Sequence, residues 1–270
     1  MGHPRLFFLI LPAGIVFTAF FLLPLAQLFV IGGGGKDGFA AYAAIVTNAN
    51  YRASLVATVL LSAGVTLATL VISGIAGVFL TRNRFPLRPA LTAMLTFPLA
   101  FPGVVIGFMV IMLAGRQGLV GDITQWLAGD KLVFAYSMAG LFMGYVYFSI
   151  PRTILTVMAS AEKLDPKLEE AARSLGASPL RVVWDVIIPG LMPAFLAAGA
   201  ICFATAMGAF GTAFTLATRI NVLPMVIYTE FTDQANIAMA AALSFILGAI
   251  TWLVLAVART AAGSSVAAAG

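Results

Sequence analysis

Leu168-Glu169-Glu170-Ala171-Ala172-Arg173-Ser174-Leu175-Gly176-Ala177-Ser178-Pro179 lies at the centre of a polar interruption, residues 152–189, in an otherwise apolar chain. Its punctuation predicts two short helices. Asp165 suits an N-cap, and Pro166 suits the first helical position, where its missing N–H costs nothing. Gly176 supplies the left-handed residue that commonly closes a helix. Ser178-Pro179 repeats the start signal, and Pro189 is expected to mark the next boundary. The first helix, 166–175, would run about 15 Å at 1.5 Å per residue. One of its faces carries Leu164, Leu168, Ala171 or Ala172, and Leu175. The second helix places Leu180, Val183, Trp184, Ile187 and Ile188 together, with Arg181 and Asp185 elsewhere. A compact helix-turn-helix knob between two apolar runs is the expected result.

Working outward, 61% of the 270 residues are hydrophobic and only 9% are charged, with a mean hydropathy of +1.05. Soluble domains hold roughly 45–50% apolar and 25% charged residues, so this composition means a polytopic membrane protein. About 20 apolar residues cross the hydrocarbon layer. Six runs qualify: 6–31, 55–80, 91–113, 132–150, 191–216 and 237–258, none holding a charge. The first is too long for a signal-peptide core and is read as a retained span. Alternate loops carry ten and five Lys and Arg residues, the richer set including Arg82, Arg84, Arg88 and the knob. The positive-inside rule then predicts cytoplasmic N- and C-termini and a cytoplasmic knob. The net charge of +5 thus reflects orientation in the bilayer rather than nucleic-acid binding.

Several smaller features are read as structural. Gly32-Gly33-Gly34-Gly35-Lys36 lacks the spacing and hydroxyl of a phosphate loop. Residues 39–46 suggest a short surface helix. Pro98 and Pro102 predict a broken third span, and the pairs Gly103/Gly107 and Gly140/Gly144 permit close helix approach. Glu230 and Asp233 could meet a docking partner or steer a cationic solute, but are expected to be solvated loop carboxylates. The tail after Arg259 reads as disordered. Tyr145, Tyr147, Phe210 and Phe214 are candidates for lining a path, though span aromatics more often face lipid or other helices. Cys202 is the single cysteine and His3 the single histidine, which excludes an intrachain disulfide and leaves no metal-ligand cluster. No catalytic or cofactor-binding constellation is visible. Spans without ionisable groups also argue against a proton-driven carrier.

Glu170-Ala171-Ala172, three residues, Gly176, nine residues, then Val186-Ile187-Ile188-Pro189 resembles the EAA signature of permease subunits of binding-protein-dependent ABC importers. Val186 and Ile188 stand where that pattern has Ile and Leu. The resemblance implies an all-α, six-span type I importer permease forming a single membrane domain, multi-pass in the bacterial inner membrane. The finer likeness is to the spermidine/putrescine-type subgroup, which suggests a polyamine-like solute. It also implies a second permease (identical or homologous), a dimeric ABC ATPase holding ATP-Mg, and an extracytoplasmic solute-binding protein. No cofactor is expected on this chain. ATPase-coupling residues are carried over as Glu169, Glu170, Ala171, Ala172, Arg173, Leu175, Gly176, Ala177, Ser178 and Pro189. Glu170 would bond the ATPase, the two alanines would allow close approach, and Glu169 with Arg173 would support the helix. Trp184 and its apolar neighbours would tie the knob to the spans. An ion-coupled carrier or channel acting without an ATPase is the alternative, and a membrane scaffold a second.

Overall fold

The computed structural model describes the backbone of residues 3–34, 39–216 and 220–262, with side chains from Ile10 onward. The expectations placed on Gly35, Lys36, Arg219, the side chain of His3 and the tail from 263 lie outside the described residues. Every regular element among the described residues is helical. In chain order these are α1 (His3–Phe17), α2 (Leu23–Gly33), α3 (Ala40–Thr47), α4 (Ala49–Arg82), α5 (Arg88–Thr96), α6 (Gly103–Ala114) and α7 (Leu119–Ala128). There follow α8 (Met138–Lys163), α9 (Pro166–Ser174), α10 (Pro179–Val182), α11 (Ile188–Met207), α12 (Gly211–Leu216), α13 (Leu223–Thr232) and α14 (Ile237–Ala262). Among the described residues, six stretches are long and apolar enough to cross a membrane: Ile10–Gly33, Ala49–Arg82, Gly103–Ala128, Met138–Lys163, Pro179–Met207 and Ile237–Ala262.

The helices are displaced from the apolar runs for reasons that can be named. Pro189 does not end a helix, contrary to expectation. A π-helical turn, Val183–Ile187, joins α10 to α11, and the Ile188 N–H bonds the Val183 carbonyl five residues back. Pro189 has no N–H to continue the ordinary ladder, and widening one turn absorbs that loss without breaking the helix. Pro24 is handled in the same way: the turn Thr18–Leu22 is π-helical and the Leu23 N–H bonds Thr18 O. The fifth membrane-crossing helix therefore begins inside the expected cytoplasmic loop, and it ends at Met207 rather than at 216. The third run does break at its prolines, with a 3₁₀ turn at Phe97–Ala100 between α5 and α6. Its membrane-crossing stretch resumes at Gly103 and extends to Ala128, beyond the expected end at 113.

The fourth run departs furthest. Residues 132–137 are not helical, because Phe134 and Ala135 turn back to donate both their N–H groups to Ala114 O. Ser137 then caps α8, accepting from the Gly140 N–H. From there α8 continues through Pro151 and Arg152 to Lys163, so the polar interruption opens at Leu164 rather than at Arg152.

Close packing divides the chain into two compact units, Met1–Val56 with Asn221–Ile250, and Ala57–Ile220 with Thr251–Gly270. The first is built on Ile45, Leu223, Met239, Ala242 and Leu243. Glu230 belongs here and is only 3% exposed, which overturns its reading as a solvated carboxylate. Tyr51 Oη donates to it at 2.7 Å and Asn236 Nδ2 at 3.1 Å. Asn236 also accepts from the Met239 N–H and so caps α14. Asp233 remains exposed.

In the second unit, α6 and α12 are held in close register. Thr212 Oγ1 donates to Gly103 O at 2.9 Å, and Thr215 Oγ1 lies 3.3 Å from Val104 O and 2.9 Å from Gly211 O. Gly103 and Gly107 make this approach possible. A Cβ at Gly107 would stand 2.6 Å from Thr215 Cβ. Gly144 faces Thr212 in the same way, whereas Gly140 sits against the backbone of its own turn at Ala135. Tyr145 is buried and donates its hydroxyl to Ala209 O, in the gap between α11 and α12. We expect Gly107→Ala to destabilise by about 1–3 kcal/mol through overpacking. Gly64→Ala, whose Cβ would meet Phe142 at an ordinary 3.5 Å, should be tolerated. Thermal unfolding of the two variants in detergent checks the contrast.

Candidate functional site

The knob is built as its punctuation predicts, from Asp165 onward. Asp165 Oδ1 accepts from the Lys167 N–H at 3.0 Å and Pro166 opens α9. The C-terminus closes as a Schellman motif: the Ala177 N–H bonds Ala172 O at 3.1 Å and the Gly176 N–H bonds Arg173 O at 2.9 Å. Gly176 has φ +83°, the left-handed value this motif requires. Ser178 Oγ accepts from the Arg181 N–H and starts α10 one residue later.

The two faces of this turn are sharply different. Ala172 and Ala177 rest on a core of Val157, Ala161, Val182, Ile187 and Leu191. Glu170, Ala171, Arg173, Gly176 and Ser178 are exposed, as is Pro189 at the other end of the segment. Leu168, Leu175, Leu180 and Trp184 are also exposed, Leu175 to 90%. This corrects the sequence reading of the second helix. Val182, Val186 and Ile187 tie the knob to the bundle, while Leu180 and Trp184 point away. The π turn at Val183–Ile187 shifts the angular register that an ordinary helical period assumes.

Glu169 is the anchor of the knob. It is buried, and its Oε1 lies 2.8 Å from an Arg82 guanidinium nitrogen. The same nitrogen donates to Leu164 O at 3.1 Å, the carbonyl just beyond the end of α8. Arg82, the last residue of α4, therefore grips both the entry to the knob and its first turn. Arg173 stands 3.8 Å from Glu169 Oε2, the helix-supporting pair expected from the sequence, and is the more distant of the two partners. Arg88, on α5, reaches Glu162 at 3.6 Å. Arg82 was not singled out in the sequence, where it is one of three arginines in a short loop and carries no spacing signal. Arg181 and Asp185 pair at 3.2 Å on the surface, where such pairs contribute little.

With this geometry in view, the chain can be compared with known proteins. The family model described as binding-protein-dependent transport system inner membrane component matches residues 72–263. The chain belongs to that family. It is a multi-pass inner-membrane permease subunit of an ABC importer. It is 32% identical over 244 residues to the sulfate transport system permease protein CysT of Escherichia coli K12, covering 87% of this chain and 85% of the relative. It is 30% identical over 181 residues to the molybdenum transport system permease protein ModB of the same strain, covering 65% and 78%. Its fold resembles a chain of a bacterial alginate ABC transporter crystallised with an alginate pentasaccharide-bound periplasmic protein. That match has a TM-score of 0.80 at 16% identity, covering 94% of this chain and 92% of the other.

The anchor makes a direct prediction. The two side chains are 21% and 9% exposed at Arg82 and Glu169. Removing one partner of a buried pair costs about 3–5 kcal/mol, and the residual exposure of Arg82 should bring the value below that range. We expect Arg82→Ala to be more destabilising than Arg173→Ala, and Arg82→Ala/Glu169→Ala to be less destabilising than the sum of its single variants. Thermal melts of the four proteins in one detergent measure both inequalities.

Proposed function

We propose that this permease forms half of a translocation path with a second, identical or homologous, permease. The 166–178 knob is the handle on which a dimeric ABC ATPase pulls. An extracytoplasmic binding protein delivers the solute, and ATP-Mg is held by the ATPase subunits. The observation that carries the reading is the exposed apolar pair Leu168 and Leu175 beside an acidic residue, Glu170. Both leucines lie on the polar loop, outside the membrane-crossing stretches, and exposed apolar side chains in such a place mark a protein-docking surface. Glu170 would supply charge-assisted hydrogen bonds to the ATPase, and the exposed Ala171 leaves room beside it. Ala172 and Ala177 act inward and keep the handle stiff. Closure of the ATPase pair would move the handle, and the spans attached to it would rock between inward- and outward-facing states.

For the solute we propose a small oxyanion in place of the polyamine suggested by the subgroup likeness. The compared relatives carry sulfate and molybdenum names. The test is uptake of radiolabelled sulfate, molybdate and spermidine by proteoliposomes holding the complete transporter and its binding protein. ATP-dependent accumulation of an oxyanion is the expected result. Solute movement without nucleotide, or uptake of spermidine alone, would refute the reading. Gly176→Pro forces φ from +83° to about −65°. It should leave membrane insertion intact and lower ATP-driven uptake by roughly tenfold or more. Glu170→Arg, which keeps the backbone, should weaken ATPase retention on an affinity column.

A further inference from the structure

Arg152 lies inside α8, eleven residues before its end at Lys163, or about 16 Å along the axis. An arginine at that depth on a face open to lipid is costly, and such residues normally face a water-filled cavity or another protein. Arg152 borders a cavity of about 260 Å³ between α8 and α11, lined by the hydroxyls of Ser149, Thr153, Thr156 and Thr205 and by the apolar Phe148, Ala198, Ile201 and Cys202. Its guanidinium lies over the Phe148 ring at 5.5 Å. Among the described residues no carboxylate pairs with it, whereas Arg82, Arg88, Arg173 and Arg181 each have one. The protein therefore leaves this one deep cation uncompensated.

The surrounding hydroxyls are not committed to one another. Thr153 donates to Ser149 O, Thr156 to Arg152 O and Thr205 to Ile201 O, each within its own helix. Such bonds back to the preceding turn hold a hydroxyl in place and release it readily to a better acceptor. Pro151 adds to the polarity of this turn, because it has no N–H to offer the Tyr147 carbonyl. The cavity is smaller than the roughly 300–1,000 Å³ of sites for drug-sized ligands, and a planar guanidinium matches two oxygens of a tetrahedral anion at once.

We infer that Arg152, with Thr153, Thr156 and Thr205, forms an oxyanion-binding station on the translocation path. The inference rests on the oxyanion reading of the cargo and gives that reading a physical position. Its ligand chemistry, a tetrahedral oxyanion, is shared by free sulfate or molybdate and by the phosphate of an inner-leaflet lipid. The proposal commits to the transported ion, and the experiment separates the two sources.

The experiment uses the complete transporter in proteoliposomes, with saturating sulfate-loaded or molybdate-loaded binding protein. Arg152→Gln should lower uptake by roughly tenfold or more while lowering stimulated ATP hydrolysis less, so that ATP consumed per ion rises. Arg152→Lys, which keeps the charge but not the planar fork, should recover part of the uptake. Unchanged uptake in Arg152→Gln would overturn the inference. So would an Arg152→Lys variant as poor as Arg152→Gln in which uptake and hydrolysis fall together, since that describes a structural role. Loss of co-purifying lipid phosphorus without loss of uptake would assign the guanidinium to lipid headgroups and also overturn it. Failure of the wild-type transporter to move either oxyanion would refute the cargo reading itself, and the station with it.

Discussion

Arg82 carries two contacts that the site depends on. One guanidinium nitrogen holds Leu164 O at 3.1 Å and Glu169 at 2.8 Å, so the end of α4 is fastened to both the exit of α8 and the first turn of α9. Glu169 is nearly buried, and stripping a buried carboxylate of its charged partner is costly. The pair therefore fixes where the knob sits. Ala172 and Ala177 then seat the Schellman turn on Val157, Ala161 and Leu191, and the remaining residues of the turn are left facing outward. A handle must be stiff at its root and accessible at its tip, and this arrangement supplies both.

The helices feeding the knob obey a different constraint. In hydrocarbon every backbone group must find its partner within the protein. Prolines violate that locally, and the chain answers in three ways. At Pro24 and Pro189 a π turn lets the preceding N–H reach five residues back. At Pro98 and Pro102 the helix breaks and a 3₁₀ turn fills the gap. At Pro151 the helix simply continues, and this is the proline beside the uncompensated Arg152. One residue type thus gives continuity, interruption and a local opening, according to what packs around it.

Much of this was legible in the sequence where the signal is local. Asp165, Pro166, Gly176 and Ser178 act through bonds to neighbouring residues, so their pattern predicts the observed knob. What depends on distant partners was not legible. Glu230 looked like a loop carboxylate because nothing nearby in the chain reveals Tyr51. Arg82 looked like an orientation signal because its partners lie 82 and 87 positions away. The outward position of Trp184 and Leu180 follows from the packing of Val182, Val186 and Ile187 on Val157, Ala161 and Leu191, which no hydrophobic period encodes. Arg152 was misplaced because apolar runs report burial, whereas helices end where caps and turns end them. The spans are consequently less free of charge than composition suggested.

The central claim is that the exposed tip of the knob is where the ATPase grips this permease. A photo-reactive p-benzoylphenylalanine in place of Leu175, which is 90% exposed, tests it most directly. Irradiated in membranes containing the whole transporter, this variant should give one protein adduct, the permease joined to the nucleotide-binding subunit. An assembled complex that yields only lipid adducts, or adducts to another partner, would contradict the account.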